Sequence, residues 1–360
     1  VIVSVILGLV LLGLVLLLAL VLPSVTSGTV PFGVRIPAQN AADPVVTAQS
    51  RLYRRRVLIC GGIIAAAGVA SVAVTGQPLL LPLSVLVLVG TWYGCFFLAH
   101  QEIRAAKLAG GWFEGLHQGI AVDTELRTNP PRFPWLWLVP AVAIPVATGV
   151  IGILMYPSMP QNLAVHYGAN GVPNRIEVKS VGSAFSLVFL QLGLTALLAG
   201  IAAAILRSRP DLDPARPMGS SRWARHYMSL GAKALLGLVA MIDLGLMGSS
   251  LLMWTGTVSR WAPLVIVIPV LVSVAATITV LARNNRDRGG NGEDTGLTHR
   301  DDDRYWRGGV IYINREDPAL VVPRRFGIGW TLNFGDPRAA MFLAGVVALI
   351  GLVIALRFTS

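Results

Sequence analysis

Eight apolar stretches of about 20 residues each dominate the chain, and a run of that length spans the hydrocarbon core of a bilayer as one α-helix. They are Val1–Leu22, Val57–Thr75, Leu79–Leu98, Trp135–Tyr156, Ser183–Leu206, Ala234–Trp254, Ala262–Leu281 and Ala339–Leu356. In lipid the backbone must satisfy its own hydrogen bonds, which a helix does internally. Only 13% of the 360 residues are charged, against about 25% in a soluble domain. The fold class expected is an all-α integral membrane protein with about eight transmembrane helices.

Charge sorting gives the expected orientation. The net charge is +11, and the basic residues alternate by loop. Loops after spans one, three, five and seven hold 25 of the 29 Lys and Arg residues; the even loops and the C-terminal tail hold 4. The positive-inside rule then places the odd loops in the cytoplasm and both termini outside. The cluster at Arg51, Arg54, Arg55 and Arg56 reads as an orientation signal that touches anionic headgroups. No direct nucleic-acid binding is expected, since no aromatic interleaving or binding fold accompanies it. The first span has no charged leader and no A-x-A-like cleavage site, so it reads as a retained anchor.

Finer signals mark the helix ends. Asp43 followed by Pro44 reads as an N-cap with proline at the first helical position. Gly110 and Gly111 read as the end of the third helix, continued past the membrane through Glu102, Arg104 and Lys107. His100 and His117 read as solvated or interfacial histidines. Cys60 and Cys95 both fall within apolar runs and imply no disulfide framework. Pro140 and Pro145 in span four, and Pro263 and Pro269 in span seven, free backbone carbonyls that neighbouring helices must satisfy.

Between spans four and five lies a polar island, Tyr156–Lys179. Gly168, Asn170 and Gly171 suit a tight reversal, so the segment reads as a small extracytoplasmic hairpin, with Val165 and Tyr167 on one face and His166 on the other. His166, Tyr167, Asn170 and Arg175 are the candidate ligand-binding residues, because exposed loops on rigid supports concentrate binding.

The stretch MPQNLAVHYGANGVPNR, followed by Lys179 and Ser180, resembles the uncharacterised domain of bacterial Sdp-type toxin-immunity membrane proteins. Pro160, His166, Tyr167, Gly171, Pro173, Arg175 and Lys179 carry the resemblance. Ala164 stands where that family usually has proline, and Asn174 where it has aspartate. An extracytoplasmic peptide or toxin outside and a cytoplasmic regulator inside are what the resemblance implies as partners.

Span five carries Gln191 and span six carries Asp243, both near mid-membrane at about 1.5 Å per residue. A carboxylate there is costly and marks a functional candidate by default. Its structural alternative is a protonated Asp243 bonded to Gln191 or to a backbone carbonyl, serving helix packing.

Loop seven opens with a polar, Gly-rich linker, Asn284–Thr298. A small cytoplasmic β-like segment follows, with a strand at Val310–Ile313, a turn at Asn314–Pro318 and extended chain at Leu320–Val322. Its run of Tyr305, Trp306, Gly309, Tyr312, Asn314, Asp317, Pro318, Pro323, Arg325, Phe326, Gly327, Gly329, Trp330, Thr331 and Asn333 resembles a second uncharacterised domain, found at the C-terminal end of such membrane proteins. PFGVRIP at Pro31–Pro37 is weakly echoed by RFGIGW at Arg325–Trp330.

Four segments are expected: residues 1–134 with three helices, 135–206 with the hairpin, 207–283 with helices six and seven, and 284–360 with the linker, β-like domain and last helix. No phosphate loop, dinucleotide fingerprint, HExxH or Ser/His/Asp grouping occurs, so neither an enzyme nor a cofactor or metal requirement is expected. Two function classes stay open: an immunity or envelope-sensing protein, and a small-solute or proton-coupled transporter, for which inverted repeats would be the sign.

Overall fold

The structure is a computed structural model of the chain; it describes residues 2–77, 79–168, 172–259, 261–285 and 293–356. Asn170, one of the candidate binding residues, lies outside them, as does 286–292 of the linker. The described helices are α1 (Ile2–Val25), α2 (Pro44–Thr75), α3 (Leu80–Ala109), the short α4 (Thr124–Thr128), α5 (Trp135–Met155), α6 (Val181–Ile205), α7 (Pro217–Trp254), α8 (Ala262–Asn285) and α9 (Pro337–Leu356). Seven of these are long and apolar enough to cross a membrane, which marks a multi-pass membrane protein. The eighth expected span falls on α9, where Pro337–Ala348 forms a shorter apolar helix.

Two helices extend well beyond the apolar runs. α2 starts at Pro44, where the Asp43-Pro44 signal puts it and ahead of its apolar span at Val57, and α7 starts at Pro217, ahead of the span at Ala234. Hydropathy locates only the lipid-buried part, whereas Arg, Gln and Ala all favour helix, so the ladder continues into the polar sequence. Asp43 caps α2 by accepting from the Val45 N–H at 2.8 Å, with Pro44 at the first helical position.

The chain divides into two compact units. The first comprises Val1–Pro130, Arg207–Tyr227 and Leu281–Ala339. Here α1, α2 and α3 pack together through small residues. Ideal side-chain carbons at Gly61 and Gly68 would meet Leu16 and Ser84 at 2.8 and 2.6 Å, so glycine is what lets these helices approach. The buried Tyr53 hydroxyl donates to the Ala19 carbonyl at 2.6 Å. An aromatic core of Phe32, Tyr53, Phe96 and Phe326 joins the α1–α2 loop to the C-terminal loop, with Phe96 and Phe326 centroids 4.4 Å apart.

Small strands of this unit pair its C-terminal loop: β4 (Thr298–His299) runs parallel to β1 (Gln118–Gly119) of the α3–α4 connection, while β5 (Trp306–Arg307) pairs with β6 (Ile311–Tyr312), and β7 (Val321–Pro323) with β8 (Trp330–Leu332). Asn333 is fully buried and pins the expected turn at Asn314–Pro318. Its amide donates to the carbonyls of Asn314 (2.7 Å) and Asp317 (3.0 Å), and its oxygen accepts from the Asn314 N–H. The far end of the linker is held down, with Thr295 donating to the Pro214 carbonyl at 2.6 Å.

The second unit comprises Pro131–Leu206, Met228–Val280 and Ala340–Ser360. In it β2 (Asn162–Tyr167) and β3 (Pro173–Val178) form the expected hairpin. The register shifts on both sides of His166, yet His166 is exposed while Val165 packs with the hydrophobic cluster and Tyr167 is half-buried. The hairpin is seated by Met159 and Leu163, which pack with Ala184 and Trp254. Lys179 donates to the Tyr156 and Met159 carbonyls, and Ser180 caps α6 in a reciprocal box with Ser183. The Trp254 indole N–H donates to the Ala184 carbonyl at 2.8 Å.

Candidate functional site

Hairpin residues come first. His166 is exposed, and its Nδ1 lies 2.5 Å from Asn174 Oδ1 on the opposing strand. An amide oxygen accepts, so this ring nitrogen carries the hydrogen. Arg175 pairs with Glu177 at 2.8 Å. Tyr167 turns toward the loop after α7, its hydroxyl 3.5 Å from the Thr257 carbonyl, a contact at the limit of a hydrogen bond. The structure thus ties His166 to Asn174 and Arg175 to Glu177, and directs Tyr167 to another segment. Along β3 the outward positions are Asn174, Ile176 and Val178; the last two are 62% and 71% exposed.

Among the helices of the same unit, Gln191 and Asp243 meet as their positions suggested. The Gln191 amide donates to the Asp243 backbone carbonyl at 2.8 Å and to the Thr148 hydroxyl at 3.3 Å. The Asp243 carboxyl is engaged instead by Thr195, whose hydroxyl lies 2.8 Å from Oδ2. All four side chains are buried, and Asp243 Oδ1 and Gln191 Oε1 lack a hydrogen-bond partner.

Sequence reasoning missed the first unit's main polar feature, a cluster of buried charges. Arg35 bonds Asp211 at 2.8 Å and Asp302 at 3.2 Å, and its backbone N–H donates to Asp303 at 3.0 Å. Lys107 bonds Asp301 and Asp303 at 2.7 and 2.6 Å. Arg325 bonds Asp302 and Asp303, and donates to the Gly33 carbonyl at 3.2 Å. The three cations are about 95% buried or more.

Backbone geometry holds this cluster closed. Phe32 (φ 46°) and Gly33 (φ 77°) lie in the left-handed region, which turns the Gly33 carbonyl to Arg325. The Phe32 carbonyl accepts from Nδ1 of His100 at 2.8 Å. His100 is therefore buried rather than solvated: the α1–α2 loop covers it. Phe32 and Phe326 stack at 5.9 Å, so the two echoing stretches lie against each other. The echo, and the run Asp301–Asp303, were the signals available; neither says that the two stretches touch.

Charge states follow from the partners. Burial alone would pull the Arg35 guanidinium down, but Asp211 and Asp302 outweigh it and hold it above its ordinary range. For Asp303, burial pushes up, while Arg325 and Lys107 prevail and hold the carboxyl below its usual value. His299, 3.7 Å from Asp213, is lowered by burial and by Arg35 despite Asp211 and Asp213, so its imidazole is neutral at neutral pH. Chemically the cluster is a buried ionic clasp, in which Arg325 Nε is left without a hydrogen-bond partner. Among the described residues no group of three or more His, Cys, Asp or Glu side chains is placed to hold a metal ion.

Two stretches match known domain families. Residues 143–192, which contain the hairpin, match a domain of unknown function, DUF1648. Residues 315–339, which contain Arg325 and Asn333, match a family of unknown function, DUF5808. Both are commonly found in bacterial membrane proteins. No curated protein matches the chain, and no solved structure does.

Proposed function

We propose that this protein is an envelope-sensing or immunity-type membrane protein, whose hairpin recognises an extended apolar peptide outside and whose basic loops meet a cytoplasmic regulator. The observation that carries this reading is strand β3. It pairs with β2 alone among the described strands, and it presents Ile176 and Val178 outward. An edge strand with exposed alternate side chains is what β-augmentation uses: main-chain bonds supply affinity, and side chains supply specificity. The loop-sorted charge supports an extracytoplasmic hairpin with both termini outside, and the resemblance to Sdp-type proteins supports a peptide as ligand. His166, bonded to the outward Asn174, borders the proposed surface, and Arg175 lies on the other face of the strand with Glu177.

The test is complementation of a deletion strain challenged with secreted peptides. The Ile176→Lys, Val178→Lys double variant is expected to lose protection at unchanged membrane abundance, and His166→Ala to weaken it. Full protection by the double variant would remove the hairpin from recognition.

A second reading, small-solute or proton-coupled transport, is favoured by the buried Asp243 and by the proline-bearing helices α5 and α8. Uptake by proteoliposomes that is abolished by Asp243→Asn would favour it over the first.

A further inference from the structure

The polar contacts around Asp243 can be counted hydrogen by hydrogen. The Gln191 amide has two, directed at the Asp243 carbonyl and at the Thr148 hydroxyl. Thr148 directs its own to the Ile144 carbonyl at 2.8 Å. What remains is the single hydroxyl hydrogen of Thr195, with two oxygens in reach: Asp243 Oδ2 at 2.8 Å and the Ala141 carbonyl at 3.2 Å. That carbonyl is no ordinary helix acceptor. Its helical donor would be the N–H of residue 145, and Pro145 has none.

A hydroxyl donates once and accepts as well. Both contacts are satisfied together when a proton on Asp243 Oδ2 is donated to Thr195, whose hydrogen then goes to Ala141. We infer that Asp243 is a proton-binding site, occupied at neutral pH, whose proton closes a hydrogen-bond chain from α7 through Thr195 of α6 to the carbonyl that Pro145 leaves open in α5.

Charge leads to the same place. α5, α6, the α8 segment Ala262–Val280 and α9 beyond Arg338 contain no titratable residue. On α7 the nearest is Lys233, about 15 Å along the axis at 1.5 Å per residue. An ionised Asp243 would have no counter-ion from these helices, and Oδ1 has no donor. An unpaired buried carboxylate is far costlier than a neutral acid. Loss of the proton to bulk water leaves Thr195 one hydrogen for two acceptors. Either its link to α5 or its link to α7 then opens, so proton occupancy controls how these helices hold together.

Infrared difference spectroscopy on the full chain in nanodiscs tests this. At neutral pH the wild type is expected to show the C=O stretch of a protonated carboxyl that Asp243→Asn lacks. Thr195→Val should move that band to higher frequency, because the acid loses its acceptor. A spectrum identical in wild type and Asp243→Asn would overturn the proposal. Should Asp243→Asn fail to fold, Thr195→Val decides alone, and an unmoved band overturns it. Replacing potassium by sodium separates the proton from a metal ion: loss of the band with a gain in thermal stability would mean that a cation, not a proton, occupies the site.

Discussion

Arg35 and Arg325 donate to the same oxygen, Oδ1 of Asp302, although one precedes α2 and the other precedes α9. Each also reaches Asp303, Arg35 by its backbone N–H and Arg325 by its guanidinium. The DUF5808-matching stretch is thereby fastened to the α1–α2 loop by paired charges.

Removing one cation should cost far more than the pair's net worth, since it leaves carboxylates facing an uncompensated site. Breaking a buried ion pair costs about 3–5 kcal/mol. Arg325→Ala is expected at the low end of that range, because Asp302 and Asp303 keep 25% and 17% exposure. Denaturant unfolding in detergent micelles measures it; a midpoint equal to wild type would show that the clasp contributes nothing.

Acid should loosen the first unit in two stages. His299 has a lowered pKa in the folded state, so the unfolded chain binds its proton first and stability falls as pH drops below about 6.5, the ordinary histidine value. Asp303 is also lowered; its contribution is complete above the ordinary carboxylate value and is lost as pH falls through the folded one. His299→Gln is expected to flatten only the upper stage of a stability–pH curve, and an unaltered curve would refute the assignment.

Contact between the α1–α2 loop and the Gly308–Gly309 turn requires bare backbone. A side-chain carbon at Gly33 would sit 2.4 Å from the Gly309 carbonyl oxygen, at a φ of 77°. Gly33→Ala is expected to destabilise by about 1–3 kcal/mol, the usual range for forced overpacking. Gly13→Ala, with nothing within 4 Å, serves as the neutral control in the same thermal-shift measurement.

Orientation can be read by cysteine labelling in a background lacking Cys60 and Cys95. Val172→Cys beside the hairpin turn should react with an impermeant maleimide from outside. Val122→Cys, at a position 78% exposed between α3 and α4, should react only after permeabilisation. The reverse pattern would invert the topology and remove the proposed cytoplasmic partner with it.

Local chemistry was legible in the sequence wherever a short stretch decides its own structure. Apolar length set the membrane helices, Asp43-Pro44 set the start of α2, and the alternating stretches on either side of a Gly/Asn-rich segment set the paired strands β2 and β3. Gln191 and Asp243 could be paired because helix rise fixes depth in the membrane. Tertiary structure alone decided the rest, since it depends on which distant segments touch. Counting depth does not reveal that Thr195, rather than Gln191, engages the Asp243 carboxyl, nor that Pro145 opens the carbonyl beyond it. Charge counting treated Arg35, Lys107 and Arg325 as orientation signals, because a sequence shows charges without their partners. Only folding brings Asp302 and Asp303 to them, and desolvation then turns solvated loop charges into a buried clasp.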